Sequence, residues 1–122
     1  MTPQFRVARI YDYQAQADET AIFLDRLYPR GVHKELMAQV VWLKNLTPSA
    51  ELRRWYHVDP EQRYDDFAAR YRQELQDPEH QAALAELWRL AGQQPHTVLL
   101  TAVKHPEHSH LAVLLDYLHE SG

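Results

Sequence analysis

Two short apolar runs limit the folds open to this chain more than any other feature. Residues 21–24 read Ala-Ile-Phe-Leu, and residues 98–103 read Val-Leu-Leu-Thr-Ala-Val. Runs this short and this continuously apolar are typical of strands that are covered on both faces of a sheet. The helical patterns between and after them predict helices packed over that sheet.

The remaining patterns predict the order β-β-α-α-α-β-α, with a partly helical stretch at residues 34–44. A first strand is expected at residues 4–11, and the connector at 12–20 is short for a parallel crossover. The first two strands therefore either pair antiparallel or are not neighbours. We predict one α/β domain over residues 1–122, in which four to five helices cover a small sheet that is mainly parallel or mixed.

Helix start signals locate the helices in the second half of the chain. Ser49, Asp59 and Asp77 each stand where a polar side chain can cap a helix, and proline follows directly at positions 60 and 78. Gly92 is expected to end the third of these helices. The last helix is expected to begin at His108 or Ser109.

The amino-acid composition excludes several kinds of function. The chain has no cysteine, which removes disulfides and thiolate chemistry and fits a reducing cytoplasm, the expected location. No apolar run approaches the ~18 residues of a membrane span, so no membrane partner is expected. The three glycines, at positions 31, 92 and 122, allow neither a G-x-G-x-x-G fingerprint nor a P-loop, and the sequence identifies no cofactor.

Charge is distributed unevenly along the chain. The net charge of −4 disfavours general nucleic-acid binding. Residues 26–72, however, contain nine of the thirteen Lys and Arg residues and six of the seventeen Asp and Glu residues, a local excess of +3. This excess indicates either ordinary solvated helix faces or a surface that attracts anions.

The best candidate site lies after the two buried strands, because ligands of open α/β sheets bind beyond the carboxyl ends of the strands. Asp25, Arg26 and Arg30 follow the first apolar run. The aspartate could act as a general base, a metal ligand or a clamp on an arginine, and the two guanidinium groups suit phosphate or carboxylate. The alternative is a structural Asp–Arg ion pair that connects the loop to a neighbouring helix.

Lys104 and three histidines, His105, His108 and His110, follow the second run. Three imidazoles within six residues resemble a set of metal ligands. His108 and His110 are two residues apart, however, so their side chains face in different directions. We therefore predict no metal and favour a histidine that donates a proton or contacts an anion. The alternative is that His108 or Ser109 only caps the last helix.

A third group of polar residues lies on the helices. Arg53 near a helix start could bind an anion, with Ser49 beside it. Arg70 and Tyr71 are ambiguous, since aromatic stripes form cores more often than binding platforms. Ser49 or Ser109 would be an activated nucleophile only with a histidine within reach.

Four stretches together resemble the YeaO-like branch of the domain-of-unknown-function family 488. They read LDRLYPRG at 24–31, WLKxLxPSxELRxW at 42–55, DP at 59–60 with FxxRYxxEL at 67–75, and TxLLxAxK at 97–104 with HxxxAxxL at 108–115. The resemblance implies a small intracellular α/β protein. It also implies that the family's polar signature falls on Asp25, Arg26, Arg30, Ser49, Arg53, Arg70, Tyr71, Lys104 and His108. The chain departs from the family pattern at Tyr28, where tryptophan is usual, and at Ser109, where asparagine is usual.

The leading hypothesis is a pocket for a phosphate- or carboxylate-bearing small molecule, which would make the protein a small-molecule enzyme or binder. Asp25, Lys104 and His108 are the catalytic candidates. The ligand-binding candidates are Arg26, Arg30, Ser49, Arg53, Arg70 and Tyr71. The competing hypothesis is a non-catalytic module that docks its basic 26–72 segment on nucleic acid or an acidic protein, and a third assigns these residues a purely architectural role.

Overall fold

A computed structural model describes residues 4–121 and shows strands alternating with helices. Within these residues the strands are Gln4–Arg9 (β1), Glu19–Phe23 (β2), Val41–Trp42 (β3) and His96–Thr101 (β4). The α-helices are Lys34–Met37 (α1), Ala50–His57 (α2), Pro60–Glu74 (α3), Pro78–Ala91 (α4) and His110–Ser121 (α5). Three short 3-10 turns lie at Ile10–Asp12, Lys44–Leu46 and Pro106–His108.

The four strands form one parallel sheet in the order β1-β4-β2-β3. Leu99 in the middle of β4 is aligned with Val7 on one side and with Ile22 on the other. The predicted α/β class is therefore confirmed, and the sheet is parallel rather than mixed. β1 and β2 are not neighbours, because β4 lies between them.

Alternate residues of the two central strands enter two different cores. Ile22 and Leu99 join a large cluster formed with the apolar faces of α2 to α5, whereas Phe23 and Leu100 join a smaller cluster on the other side. All four side chains are fully buried. Burial on both faces is the reason that these strands read as uninterrupted apolar runs in the sequence.

The partly helical stretch expected at residues 34–44 is helical only from Lys34 to Met37, and the strand that follows it was not predicted. The helix ends at Met37 after four residues, and Val41 and Trp42 pair with Ile22 and Phe23 as the edge strand β3. A β-branched and an aromatic residue favour the extended backbone, and pairing with β2 satisfies their peptide groups. The observed order is β-β-α-β-α-α-α-β-α.

The predicted helix starts agree with the structure at two of three caps. Ser49 accepts a hydrogen bond from the Leu52 N–H at 3.1 Å, and Asp77 accepts one from the His80 N–H at 2.8 Å. At α3 the helix begins at Pro60 as expected, but the Asp59 side chain caps nothing. Over residues 4–121 there is no helix with the length and apolar character that crossing a membrane requires.

Candidate functional site

A cavity of about 790 Å³ lies at the carboxyl ends of β2 and β4. Residues 24–30, which follow β2, line it together with residues 102–105 and 107–110, which follow β4. Helices α2 and α3 contribute further lining residues from above the sheet. A volume of this size is typical of pockets that bind small molecules.

Four cationic side chains line the cavity: Arg26, Arg30, Arg53 and Lys104. Across residues 4–121, none of the four forms an ion pair with a carboxylate. Arg26 donates one long hydrogen bond, of 3.5 Å, to the Pro48 carbonyl. The four cations outnumber the two carboxylates that line the cavity, Asp25 and Glu107, so the cavity has an excess of positive charge in a chain whose net charge is −4.

The loop that presents Arg30 is held by two tyrosines. The Tyr11 hydroxyl donates to the Arg30 carbonyl at 2.9 Å, and the Tyr28 hydroxyl donates to the Val32 carbonyl at 3.2 Å. Gly31 has a φ of +78°, a backbone conformation that is strained for any residue with a side chain. These contacts fix the backbone of the loop while the Arg30 side chain stays exposed.

The wall of the cavity opposite the strand ends is largely aromatic and apolar. Tyr56 of α2 stacks on Phe67 of α3, with ring centroids 4.2 Å apart and an interplanar angle of 24°. Pro48 and Leu27 are further apolar residues that line the cavity. A ligand with both an anionic group and an apolar body would find complementary surfaces here.

Asp25 is anchored by the strand next to it and does not pair with an arginine. Its Oδ1 accepts the Thr101 hydroxyl at 2.6 Å, and its Oδ2 accepts the Ala102 N–H at 2.8 Å. The Nε2 atom of His110 lies 3.3 Å from Oδ1. The Asp–Arg pair considered from the sequence is therefore absent from the described part of the chain.

Opposing effects act on the pKa of Asp25. Burial raises it, but the hydrogen bond and charge of His110 lower it, as do the Thr101 hydroxyl and the Ala102 N–H. The net result is a pKa below the ordinary value, so Asp25 is a carboxylate at neutral pH. With both oxygens occupied by donors, it is better suited to hold a neighbour than to remove a proton.

His110 is the residue at this site that sequence reasoning did not select. It is the first residue of α5, and Ser109 caps that helix by accepting the Leu111 N–H at 3.1 Å. Its Nε2 lies 2.5 Å from the Leu24 carbonyl oxygen, in addition to its contact with Asp25. The sequence showed three nearby histidines, but their spacing does not indicate which of them faces a strand 86 residues earlier.

The other histidines take different positions. The ring of His108 stacks on Tyr64 at 4.2 Å, and His105 lies 3.6 Å from Glu107. Both line the cavity, as does His57. In residues 4–121 no three His, Asp or Glu side chains converge in a way that could hold a metal ion.

Six of the nine candidate site residues line the cavity: Asp25, Arg26, Arg30, Arg53, Lys104 and His108. The other three lie outside its lining. Ser49 donates its hydroxyl to Glu74 at 2.6 Å, Arg70 stacks over the Trp55 ring at 4.0 Å, and the buried Tyr71 donates its hydroxyl to the Leu46 carbonyl at 2.6 Å. These contacts give the three residues structural roles in joining helices and loops.

The hydroxyl groups considered as nucleophiles are engaged elsewhere. Ser49 contacts Glu74 and the first turn of α2, and Ser109 donates to the Pro106 carbonyl at 2.7 Å. Neither hydroxyl contacts a histidine among the hydrogen bonds of the described residues. The condition for an activated serine is therefore not met.

The fold and this cavity define a small α/β protein with a cationic pocket at the ends of its central strands. The chain belongs to the family described as "Domain of unknown function DUF488", whose model matches residues 6–118. It is 44% identical over 113 residues to the uncharacterized proteins Rv3073c of Mycobacterium tuberculosis and Mb3100c of Mycobacterium bovis, which covers 93% of this chain and 92% of each relative. It is 38% identical over 110 residues to the uncharacterized protein YeaO of Escherichia coli, which covers 90% of this chain and 92% of that protein. The resemblance to the YeaO-like branch is thereby confirmed, and no solved structure gave a match.

Proposed function

We propose that this protein binds a small molecule carrying a phosphate or carboxylate group in the cavity at the ends of β2 and β4. One observation carries the proposal. Arg26, Arg30, Arg53 and Lys104 come from three separate segments, line the same cavity and have no carboxylate partner within residues 4–121. The positive charges of these side chains repel one another, and a bound anion would remove that repulsion.

Each element contributes a different part of this binding site. The two arginines of the loop after β2 offer planar guanidinium groups for bidentate contacts with an anion. Arg53 approaches from α2, and Lys104 supplies a point charge from the loop after β4. The Tyr56 and Phe67 wall would contact the apolar part of the ligand.

The positions of the cationic side chains in the basic 26–72 segment favour the binding of a compact anion over the binding of an extended nucleic acid. Arg63 and Arg70 both lie over the ring of Trp55, at 4.6 and 4.0 Å, and Lys44 lies over the ring of Trp42 at 4.2 Å. Three further cations of the segment line the cavity instead. The positive charge is thus gathered at one concave site and otherwise spread around the helices, whereas a nucleic-acid backbone needs a continuous stripe.

Thermal unfolding in the presence of inorganic phosphate, sulfate and citrate tests the proposal, with sodium chloride at equal ionic strength as the control. Bound ligand stabilises the folded state by mass action, so the three anions are expected to raise the Tm more than chloride does. Arg53→Gln should reduce the shift. Arg54→Gln is the matched control, because this exposed neighbour on the same helix does not line the cavity.

Equal shifts for the Arg53 and Arg54 variants would place the anion elsewhere and contradict the proposal. The absence of any anion-specific shift in the wild type would contradict it as well. A duplex oligonucleotide whose affinity falls steeply with salt, and falls equally in both variants, would favour the interaction-module hypothesis instead.

A further inference from the structure

The pair formed by Asp25 and His110 is a feature of the cavity that anion binding alone does not explain. The Nε2 atom of His110 lies 2.5 Å from the Leu24 carbonyl oxygen and 3.3 Å from Asp25 Oδ1. Both neighbours are hydrogen-bond acceptors, since a carbonyl cannot donate and the lowered pKa of Asp25 keeps it ionised. Nε2 must therefore carry a hydrogen, and in the neutral ring the lone pair lies on Nδ1.

That lone pair is open to a ligand. Nδ1 has no hydrogen-bond partner within residues 4–121, and His110 lines the cavity with 12% of its side chain exposed. Among residues 4–121, Thr97 Oγ1 is the side-chain polar atom that is both fully buried and without a partner. Because Nδ1 of His110 also lacks a partner but is not in this class, it keeps some contact with solvent. The ring is thus fixed on one edge by the fold and free on the other.

We propose, building on the anion-binding function, that His110 is the acid–base group of this site and that Asp25 is its positioning residue. In the neutral ring, Nδ1 removes a proton from a hydroxyl group or water beside the bound anion: the O–H bond breaks, the N–H bond forms at Nδ1, and the electron pair stays on the oxygen, where the arginines stabilise it. The protonated ring performs the reverse step and donates that proton. Asp25 and the Leu24 carbonyl stabilise the resulting imidazolium through Nε2–H.

The support behind His110 is rigid enough for this role. Asp25 cannot rotate away, because the Thr101 hydroxyl and the Ala102 N–H hold both of its oxygens. The Trp42 indole N–H also donates to the Asp25 carbonyl at 2.6 Å, which fixes the backbone at the end of β2. A base that is oriented by a second group, which is itself oriented, is the arrangement that proton transfer requires.

The charges around His110 predict the sign of its response to a bound anion. The charged and titratable groups that share the cavity or pack against its ring are Tyr11, Asp25, Arg26, Tyr28, Arg30, Arg53, Tyr56, His57, Tyr71, Lys104, His105, Glu107 and His108. Burial raises the pKa of Tyr71 far above neutrality, and its hydroxyl is bonded to Leu46, so it stays uncharged. An anion placed among the remaining cations favours the protonated form of an imidazole beside it, so anion binding should be coupled to proton uptake.

Calorimetric titration with sulfate measures this uptake directly. Sulfate has no proton to exchange near pH 7, so protons taken up in buffers of different ionisation enthalpy belong to the protein. The wild type is expected to take up a fraction of a proton for each sulfate bound. His110→Gln should take up fewer protons than the wild type, with the remainder due to the other histidines that line the cavity, and should bind sulfate about tenfold more weakly. His119→Gln is the matched control, because this exposed histidine of α5 does not line the cavity, and it should retain the full uptake.

A spectroscopic measurement on the free protein keeps the inference falsifiable if the His110 variant folds poorly. Ring-nitrogen NMR at high pH should show His110 as the Nε2–H tautomer, and Asp25→Asn should increase the Nδ1–H form. Sulfate binding without proton uptake, uptake that is undiminished in His110→Gln, or an Nδ1–H tautomer in the wild type would each overturn the acid–base role while leaving anion binding intact. Failure of sulfate and phosphate to bind would instead overturn the anion-binding function, and the acid–base role with it.

Discussion

At the scale of single residues, two threonines of β4 show how position decides the value of a hydroxyl group. Thr101 donates to Asp25 and accepts the Val103 N–H at 3.2 Å, so its hydroxyl is fully used at the edge of the cavity. Thr97, at the other end of the strand, is completely buried and its Oγ1 has no partner among the described residues. A buried hydroxyl without a hydrogen bond loses its solvation and gains nothing in return.

The same substitution is therefore expected to have opposite effects at the two positions. Thr97→Val should raise the free energy of unfolding by about 1 kcal/mol, because it removes an unpaired hydroxyl and keeps the side-chain shape. Thr101→Val should lower it by about 1–3 kcal/mol, because Asp25 and the Val103 N–H both lose a partner. Urea unfolding of the two variants and the wild type measures both changes. A decrease of similar size in both variants would show that Thr97 has an unrecognised partner.

At the scale of helices and strands, the short polar caps carry more information than the apolar stripes. Ser49 and Asp77 both accept a backbone N–H from the first turn of their helices, and both also contact a second side chain. Ser49 contacts Glu74 near the end of α3, and Asp77 contacts the buried His80, whose Nε2 lies 2.9 Å from the Thr47 carbonyl. Each N-cap thus connects its helix to a distant segment as well as starting it.

Alanine substitution at two similar Asp-Pro helix starts should separate a working cap from an idle one. Asp77→Ala is expected to lower the free energy of unfolding by about 1 kcal/mol, since the first turn of α4 loses its acceptor. Asp59→Ala should change it by less than about 0.5 kcal/mol, because that side chain makes no capping hydrogen bond. Urea unfolding compares the two. Equal losses would mean that Asp59 stabilises α3 by a route other than capping.

At the scale of the whole molecule, strand order brings the candidate site together. Asp25 and Ala102 are 77 residues apart in the sequence and share a hydrogen bond because β4 inserts beside β2. The loops after these strands consequently open at the same edge of the sheet, where the cavity lies. The arrangement follows the rule that ligands of open parallel sheets bind beyond the carboxyl ends of the strands.

The acid limb of the stability curve should report on this central contact. The pKa of Asp25 is lower in the folded state than in the unfolded chain, where it is about 4. A carboxylate of this kind contributes stability that is complete above the unfolded pKa and is lost as the pH falls through the folded one. We therefore expect Asp25→Asn to be less stable than the wild type at pH 7, and its stability to fall less between pH 5 and pH 2.

Chemical unfolding across this pH range provides the measurement. Asp66→Asn serves as the control, since Asp66 is exposed on α3, and its curve should run parallel to that of the wild type. A parallel curve for Asp25→Asn would contradict the lowered pKa of Asp25. Asp77 also has a lowered pKa, caused first by the His80 backbone N–H, and its contribution stays in both variants.

The parts of the structure that were predicted correctly depend on local chemistry. The runs at 21–24 and 98–103 indicated buried strands because two-sided burial leaves few polar positions, and Ser49 and Asp77 indicated helix starts because capping acts within one turn. β3 was missed because two residues are too few to show a period of two. The stretch at 34–44 is helical in part, as expected, and its helix stops where pairing with β2 favours an extended backbone.

Local patterns in the chain were enough to predict the class of fold and the polar residue types that follow the central strands. Which of these polar side chains share the cavity depends on the tertiary structure. Arg53 turns toward it while Arg70 stacks on Trp55, and His110 rather than an arginine faces Asp25. The difference arises from the distance along the chain over which each interaction acts. Caps and apolar periods act over a few residues, whereas these contacts depend on how the strands are ordered and how the helices pack, which the local pattern does not encode.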